Sequence, residues 1–283
     1  MSSNRWLPYA LITPAVLFLG LFFIAPLVQT ITLSFNGGGT PDVLANYKRM
    51  ANDLNFGVSI RNTFLLVLAV IPIQLALALA MGMMLQKMER GRDIVLWIWT
   101  IPLGVSDLAA GLVWLAIMQN TGYLNTVLFS LGLVDGPTAW LNSESPATLF
   151  IAVVLTEVWR STAVVLVVLV AGLQLIPKEF GEAAEIFGAS PWTKFRKVTL
   201  PLLKPSIQSA LVLRTVLAFE VFAAVYALGG RNFPVLVGEA YVWQNENQNY
   251  GVAAAYAVLV MTISLAATLV YLFALRTKPE AQS

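Results

Sequence analysis

The sequence predicts an all-α, polytopic membrane protein, and three observations carry that prediction. Hydrophobic residues make up 58% of the 283 and charged residues 11%, with a mean hydropathy of +0.76, far too apolar for a soluble domain of this size. The apolar residues gather into six runs, each long enough as a helix to cross a hydrocarbon layer about 30 Å thick. Lys and Arg, 17 in all, fall mostly between those runs.

Composition also removes chemistry. With no Cys there are no disulfide staples or thiolate metal sites, and with no His the commonest general base and metal ligand is missing. No segment matches the phosphate-cradling G-x-x-x-x-G-K-[ST] loop. A net charge of +2 gives no reason to invoke nucleic acid.

The first run, residues 9–35, exceeds the apolar core of a signal peptide and is followed by no small-residue cleavage site, so a retained span is expected. Pro14 and Pro26 would kink it. A polar loop with Gly37, Gly38 and Gly39 leads to the second span, 60–86. Lys87, Arg90 and Arg92 precede the third, 94–118, which Pro102 and Gly104 interrupt. Residues 119–146 carry no Lys or Arg and read as a loop with one interfacial helix, anchored by Tyr123 and Trp140. The fourth span is 147–175, the fifth 202–228 and the sixth 251–275, with a loop at 229–250. One transmembrane domain over residues 1–283 is expected, without a soluble second domain or a short-period repeat.

Six spans put both termini on one side of the membrane. Eleven Lys and Arg fall on that side (Arg5, Lys87, Arg90, Arg92, Lys178, Lys194, Arg196, Lys197, Lys204, Arg276 and Lys278), against Lys48, Arg49, Arg61 and Arg231 opposite. Arg160 and Arg214 lie within spans. The positive-inside rule makes the termini cytoplasmic.

Between the fourth and fifth spans lies a charged, Pro-punctuated island, Glu182 to Pro205. Residues 179–187 favour a helix, with Ala183 and Ala184 permitting close approach, and Gly188 suits the left-handed position after its end. Ser190 then supplies an N-cap and Pro191 the first position of a second helix reaching Lys197. Pro201 and Pro205 mark re-entry into the membrane. A solvated charged loop accounts for the composition of the island; a helical corner that a partner grips accounts for its spacing as well.

Ionisable groups inside the spans are costly and default to functional candidates. Glu157 and Arg160 stand three apart on the fourth span and can pair, as an internal brace or as substrate contacts. Arg214, midway along the fifth span, is open to a packing or a substrate role. If that span is one helix, Phe219, Phe222, Ala223 and Tyr226 share a face with Glu220 on its flank. Such a stripe packs helices or stacks on sugar rings. Arg214 points about 120° away from Glu220, so one helix cannot aim both at one ligand. Glu220 and Tyr226 are preferred. Asp107, near Pro102 and Gly104, is a weaker candidate that would satisfy a broken helix.

The spaced residues Glu182, Ala183, Ala184, Gly188, Ala189, Phe195, Val198, Leu200 and Pro201 resemble the cytoplasmic signature of the membrane-spanning permeases of binding-protein-dependent ABC importers. The lead-in from Gly172 to Glu179 looks like that of the carbohydrate branch. Arg214-Thr215, Ala218-Phe219, Phe222, Tyr226 and Gly229-Gly230 are similar to the fifth span of maltose- and trehalose-type permeases. The first span fits too, so the likeness covers nearly the whole chain.

This resemblance implies a six-helix type I importer permease in the cell membrane. Glu182, Ala183, Ala184, Gly188, Ala189, Leu200 and Pro201 would then couple it, through a loop at 177–201, to a separate ATPase pair that uses ATP and magnesium. It also implies a second homologous permease as heterodimer partner and an extracytoplasmic binding protein that hands over a sugar. Cavity-lining residues would come from the fifth span. The chain departs from the family at Ala223, where many members have Asp, and at Leu228-Gly-Gly-Arg-Asn-Phe-Pro, where Thr-Gly-Gly-Gly-Pro is usual. Both changes leave the particular sugar open.

Amino-acid or glycerol-phosphate permeases stay open as well, since Arg160 and Arg214, if unpaired, would suit an anion. A secondary transporter using Glu157 or Glu220 would leave the island unexplained. An intramembrane enzyme would need a nucleophile with a base, and the spans hold a few isolated carboxylates.

Overall fold

A computed structural model describes residues 6–37, 42–142 and 146–274. Arg5, Gly38, Gly39, Leu275, Arg276 and Lys278, on which part of the span and charge reading rests, lie outside the described residues, as do loop residues 143–145. All regular structure among the described residues is helical.

The first span is one apolar helix, Leu7–Phe35, built from α1 (Leu7–Leu19) and α2 (Ala25–Phe35) through a π-helical turn at Gly20–Ile24. The wide turn holds Phe22, four residues before Pro26. It gives the pyrrolidine ring the room that an ordinary turn would deny it. After α3 (Ala45–Ala51) comes the second span, α4 (Phe56–Lys87).

The third span is bent. It comprises α5 (Arg92–Thr100), a 3-10 turn at Ile101–Gly104 and α6 (Asp107–Met118), followed by α7 (Tyr123–Ser130), and its two arms make an angle of 98°. Pro102 and Gly104 sit at the break as expected, and Ser106 caps α6 by accepting from the Ala109 amide at 3.2 Å. Helix α7 is the helix expected in 119–146. Trp140 is pinned by donating to Asn125 Oδ1 at 2.9 Å.

The fourth span is α8 (Pro146–Gln174). Then come α9 (Lys178–Ile186), α10 (Pro191–Lys194), a π-helical turn at Phe195–Thr199, and α11 (Leu200–Phe219). From Pro191 to Phe219 this is one continuous helix, which corrects the expected stop near Lys197 and re-entry at Pro201. The physical reason repeats that at Pro26: the π turn widens the helix at Lys197, four residues before Pro201, so the proline is absorbed rather than obeyed.

A second correction concerns the fifth span. Helix α11 ends at Phe219, and a separate α12 (Ala223–Gly229) follows, so 202–228 is not one helix. The expected loop 229–250 contains α13 (Leu236–Asn245), and the chain closes with α14 (Tyr250–Ala274). Among the described residues, five helices are long and apolar enough to cross a membrane, and the bent pair, taken as one span, raises this to six.

By contact the chain forms two units. One comprises Met1–Gly57 and Leu236–Thr262. There Asn46 closes the end of α2, donating to the carbonyls of Leu33, Ser34 and Asn36 at 3.3, 3.2 and 2.9 Å. A helix end leaves such carbonyls short of backbone donors, and here that of Leu33 also accepts a backbone amide, that of Asn36, at 3.1 Å. Asp53 accepts from both Trp243 Nε1 and Tyr256 OH, tying the α3–α4 connection to α13 and α14.

The other unit comprises Val58–Val235 and Ile263–Ser283. It has two apolar cores along α4 and α8. One joins Leu66 and Val70 to Leu149, Val153, Val225, Leu228 and Phe233. The second joins Ala78 and Leu85 to Leu166, Leu169, Leu173, Leu203 and Ile207. Gly172 lets α8 touch α11 there, since a Cβ at that position would run into Ser206. Between the cores, along both α4 and α8, comes a layer of polar residues.

Candidate functional site

That layer gathers residues from four helices. Gln74 is fully buried on α4, and Glu157 on α8 and Arg214 on α11 are each 1% exposed. Arg214 donates from Nε to Gln74 Oε1 and from Nη2 to Glu157 Oε2, both at 2.7 Å. Gln74 Nε2 in turn donates to the Glu157 backbone carbonyl at 2.8 Å. A lone charge in this setting would cost several kcal/mol or more, and the bidentate fork of Arg214 is what makes burial tolerable.

From Glu157 the chain of charges continues outward. Arg160 Nη2 lies 3.4 Å from Glu157 Oε1 and 3.2 Å from Asp107 Oδ1 on α6. Asp107 Oδ2 then accepts the backbone amides of Ala223 and Ala224 at 3.0 and 3.3 Å. Two arginines thus meet two carboxylates, and the layer carries no net charge. Both span arginines are paired, so the condition under which they would suit an anionic solute is not met.

Sequence reasoning placed Glu157 with Arg160 correctly but left Arg214 apart. It missed Gln74, whose signal was a lone amide in the middle of an apolar span. Asp107 does satisfy a broken helix, but the helix is α12 of the fifth span rather than its own.

The aromatic stripe also divides at the break. Phe219 is 3% exposed and meets the ring of Phe64 edge-on at 5.5 Å. Phe222 and Tyr226 lie instead against each other, centroids 5.3 Å apart and planes tilted by 42°. Tyr226 and Glu220 are exposed on the surface of the chain, with Phe222 and Ala223 half-buried beside them. The single face expected from Phe219 to Tyr226 is therefore corrected, because α11 and α12 do not share a helical register.

The island forms the corner its residues require. Gly188 has φ +72°, and the amides of Ala189 and Gly188 donate to the carbonyls of Ala184 and Glu185, each at 2.9 Å, closing α9 in a Schellman motif. Ser190 caps α10 by accepting from the Thr193 amide at 3.2 Å. Lys194 crosses over Gly181 to reach Glu185 at 2.7 Å, fixing one arm on the other. Glu182, Ala183, Ile186, Phe187 and Gly188 are exposed, Phe187 by 89%. Ala184, Ala189 and Leu200 are half-buried and Pro201 is exposed.

Residues 73–276 match the model of a family described as binding-protein-dependent transport system inner membrane component. The chain is 33% identical to the trehalose/maltose transport system permease protein MalF of Thermococcus litoralis, over 94% of this chain and 92% of that protein. It is 32% identical to the sulfoquinovosyl glycerol transport system permease protein SmoG of Agrobacterium fabrum, over 98% and 92%. Among solved structures, a chain of a bacterial alginate ABC transporter in complex with an alginate-pentasaccharide-bound periplasmic protein superposes with a TM-score of 0.81, at 23% identity and covering 96% of this chain and 95% of that one. That likeness shows the fold. The match over most of the chain, together with the helical order and the corner at Gly188, places the protein in the family of binding-protein-dependent transport system inner membrane components.

Proposed function

We propose that this permease subunit moves a neutral sugar, received from an extracytoplasmic binding protein, into the cell. The observation that carries the sugar reading is the group of Glu220, Phe222 and Tyr226 at the break in the fifth span, with Glu220 and Tyr226 exposed, in a chain whose span arginines are already paired with Glu157 and Asp107. Aromatic rings stack on sugar faces, while a carboxylate and a phenol satisfy hydroxyls. Its relatives support it: the trehalose/maltose permease, an alpha-glucoside permease of Rhizobium meliloti at 30% identity over 92% of this chain, and an arabinooligosaccharide permease of Bacillus subtilis at 30% over 95%.

The α9–α10 corner docks on a separate ATPase pair, which binds ATP and magnesium and supplies the energy. Glu182 faces that subunit and Gly188 sets the bend. A second, homologous permease completes the pathway as a heterodimer, and both termini are cytoplasmic. Because α10, the π turn and α11 are continuous, movement of the corner is passed directly into the membrane.

The test is reconstitution with cognate partners in proteoliposomes. Saccharide-loaded binding protein should raise ATP hydrolysis and drive uptake, and Glu182→Lys should lose the co-purifying ATPase. Absence of stimulation across a panel of neutral saccharides sinks the sugar reading. Full uptake without any ATPase sinks the importer reading altogether.

A further inference from the structure

We propose that Asp107 is a positioning residue that straps the two halves of the interrupted fifth span to one polar layer, so that α12 moves with α11 during transport. The inference rests on the importer reading for what the movement accomplishes, but its geometry stands apart from any cargo.

Three observations carry it. First, no Gly or Pro occupies Glu220 to Phe222, so the break is not imposed locally. Phe222 has φ −143° and ψ −59°, and the amides that α12 exposes are taken up by Asp107 Oδ2. A helix start needs such acceptors.

Second, α6 and α12 form one body. A Cβ on Gly111 would lie 2.7 Å from Ala227 Cβ and 2.9 Å from Ala224 Cα, so the two helices touch backbone to backbone, one turn beyond the Asp107 contact. Likewise α8 and α11 touch at Gly172 and share the second apolar core. The polar link between these bodies is Arg160, which reaches Asp107 on one and Glu157 on its own helix, itself held by Arg214. Both halves of the fifth span thereby end on the same layer, α11 through Arg214 and α12 through its first amides.

Third, the layer keeps unspent capacity. Among the described residues, Asp107 Oδ1, Arg160 Nε, Arg214 Nη1 and Thr215 Oγ1 are buried side-chain atoms of this layer without a hydrogen-bond partner, Asp107 Oδ1 meeting Arg160 as an ion pair alone. Groups of this kind allow partners to be exchanged at little cost, whereas the apolar cores on either side are close-packed. The layer can therefore rearrange where the cores cannot.

The absence of native cysteine makes the strap measurable. Leu213→Cys on α11 and Asn232→Cys just beyond α12, both exposed, accept spin labels. With wild-type Asp107, pulsed electron paramagnetic resonance on the assembled complex should give one narrow distance, the same without nucleotide and with ATP trapped. Asp107→Ala should broaden it, keep binding-protein-stimulated ATP hydrolysis, and lower solute moved per ATP about tenfold. Asp107→Asn retains an acceptor for the amides but loses the pair with Arg160, and should fall between.

An unchanged narrow distance with unchanged coupling in Asp107→Ala overturns the proposal. So does a raised KM with coupling intact, which would make Asp107 a substrate contact. If Asp107→Ala does not assemble, Asp107→Ala with Arg160→Gln removes the stranded cation and should assemble while staying uncoupled; restored coupling in that double variant overturns the strap. Failure of the importer reading would show separately, as a wild-type complex that neither transports nor is stimulated, while the labelled permease still reports the distance.

Discussion

Arg214 on α11 and Glu157 on α8 form an ion pair at 2.7 Å with 1% and 2% of their side chains exposed, midway between two apolar cores. Glu157→Ala leaves that guanidinium buried without its counter-ion and should cost about 3–5 kcal/mol. Glu157→Leu combined with Arg214→Met and Gln74→Leu should recover most of the loss, because the fully buried charges are then gone and Arg160 keeps its contact with Asp107. Thermal unfolding followed by tryptophan fluorescence separates the two cases. Equal damage in both would mean the layer is not held by charge.

Gly188 occupies the left-handed region at φ +72°. Gly188→Val forces a branched side chain into that conformation at roughly 1–2 kcal/mol. With no heavy atom within 4 Å of the added Cβ, the penalty is conformational rather than a clash. Global melting should hardly move, while ATPase co-purification falls. A drop in melting temperature with full ATPase retention would contradict this.

At Gly172 the reverse applies, since an added Cβ meets Ser206 and Leu203 while the backbone itself is ordinary helix. Gly172→Val should therefore lower stability by roughly 1–3 kcal/mol through overpacking. Adding Ser206→Gly should restore a large share. A double-mutant cycle on unfolding free energies reads the coupling, and additive losses would show that α8 and α11 do not meet there.

Asp53 holds Trp243 and Tyr256 through one carboxylate. Asp53→Ala removes the one acceptor, Oδ2, that serves both donors and should destabilise the unit they belong to by about 1.5–3 kcal/mol. Trp243 fluorescence should shift to longer wavelength as the indole loosens. An unchanged spectrum would argue against the bond.

On the surface, Asp42 is held below the usual carboxylate range, chiefly by its hydrogen bond from Lys48 and then by the Leu44 amide. A depressed carboxylate stabilises above its unfolded pKa, and that contribution is lost as pH falls through its folded pKa. Acidification should release Lys48, and Lys48→Met should move the Asp42 titration upward. Selective carbon-13 labelling of Asp carboxyls would follow it; an unmoved midpoint would mean that the pair is screened out in solution.

Much of the molecule was legible along the chain, because the signals involved are local. Apolar runs marked the spans, Gly188 and Ser190-Pro191 spelled the corner, and Pro102 with Gly104 announced the bend in the third span. The break at Glu220 to Phe222 was not legible, since no residue there disfavours a helix strongly; α12 starts where it does because Asp107, more than a hundred positions earlier, supplies the acceptor. Pro201 misled for the complementary reason, as a π turn can widen a helix around a proline without ending it.

By itself, then, the sequence determined that the chain crosses a membrane as helices, where most of those helices lie, and where the α9–α10 corner turns. Hydrophobicity, capping and backbone freedom act over a few neighbouring residues, and a sequence displays them directly. Only the tertiary structure decided which charge meets which. Glu157 had Arg160 three positions away and Arg214 far off, and the shorter contact went to Arg214. Pairing inside a membrane is fixed by which side chains the packed helices bring to the same depth, and that depth is set by the two apolar cores rather than by separation along the chain.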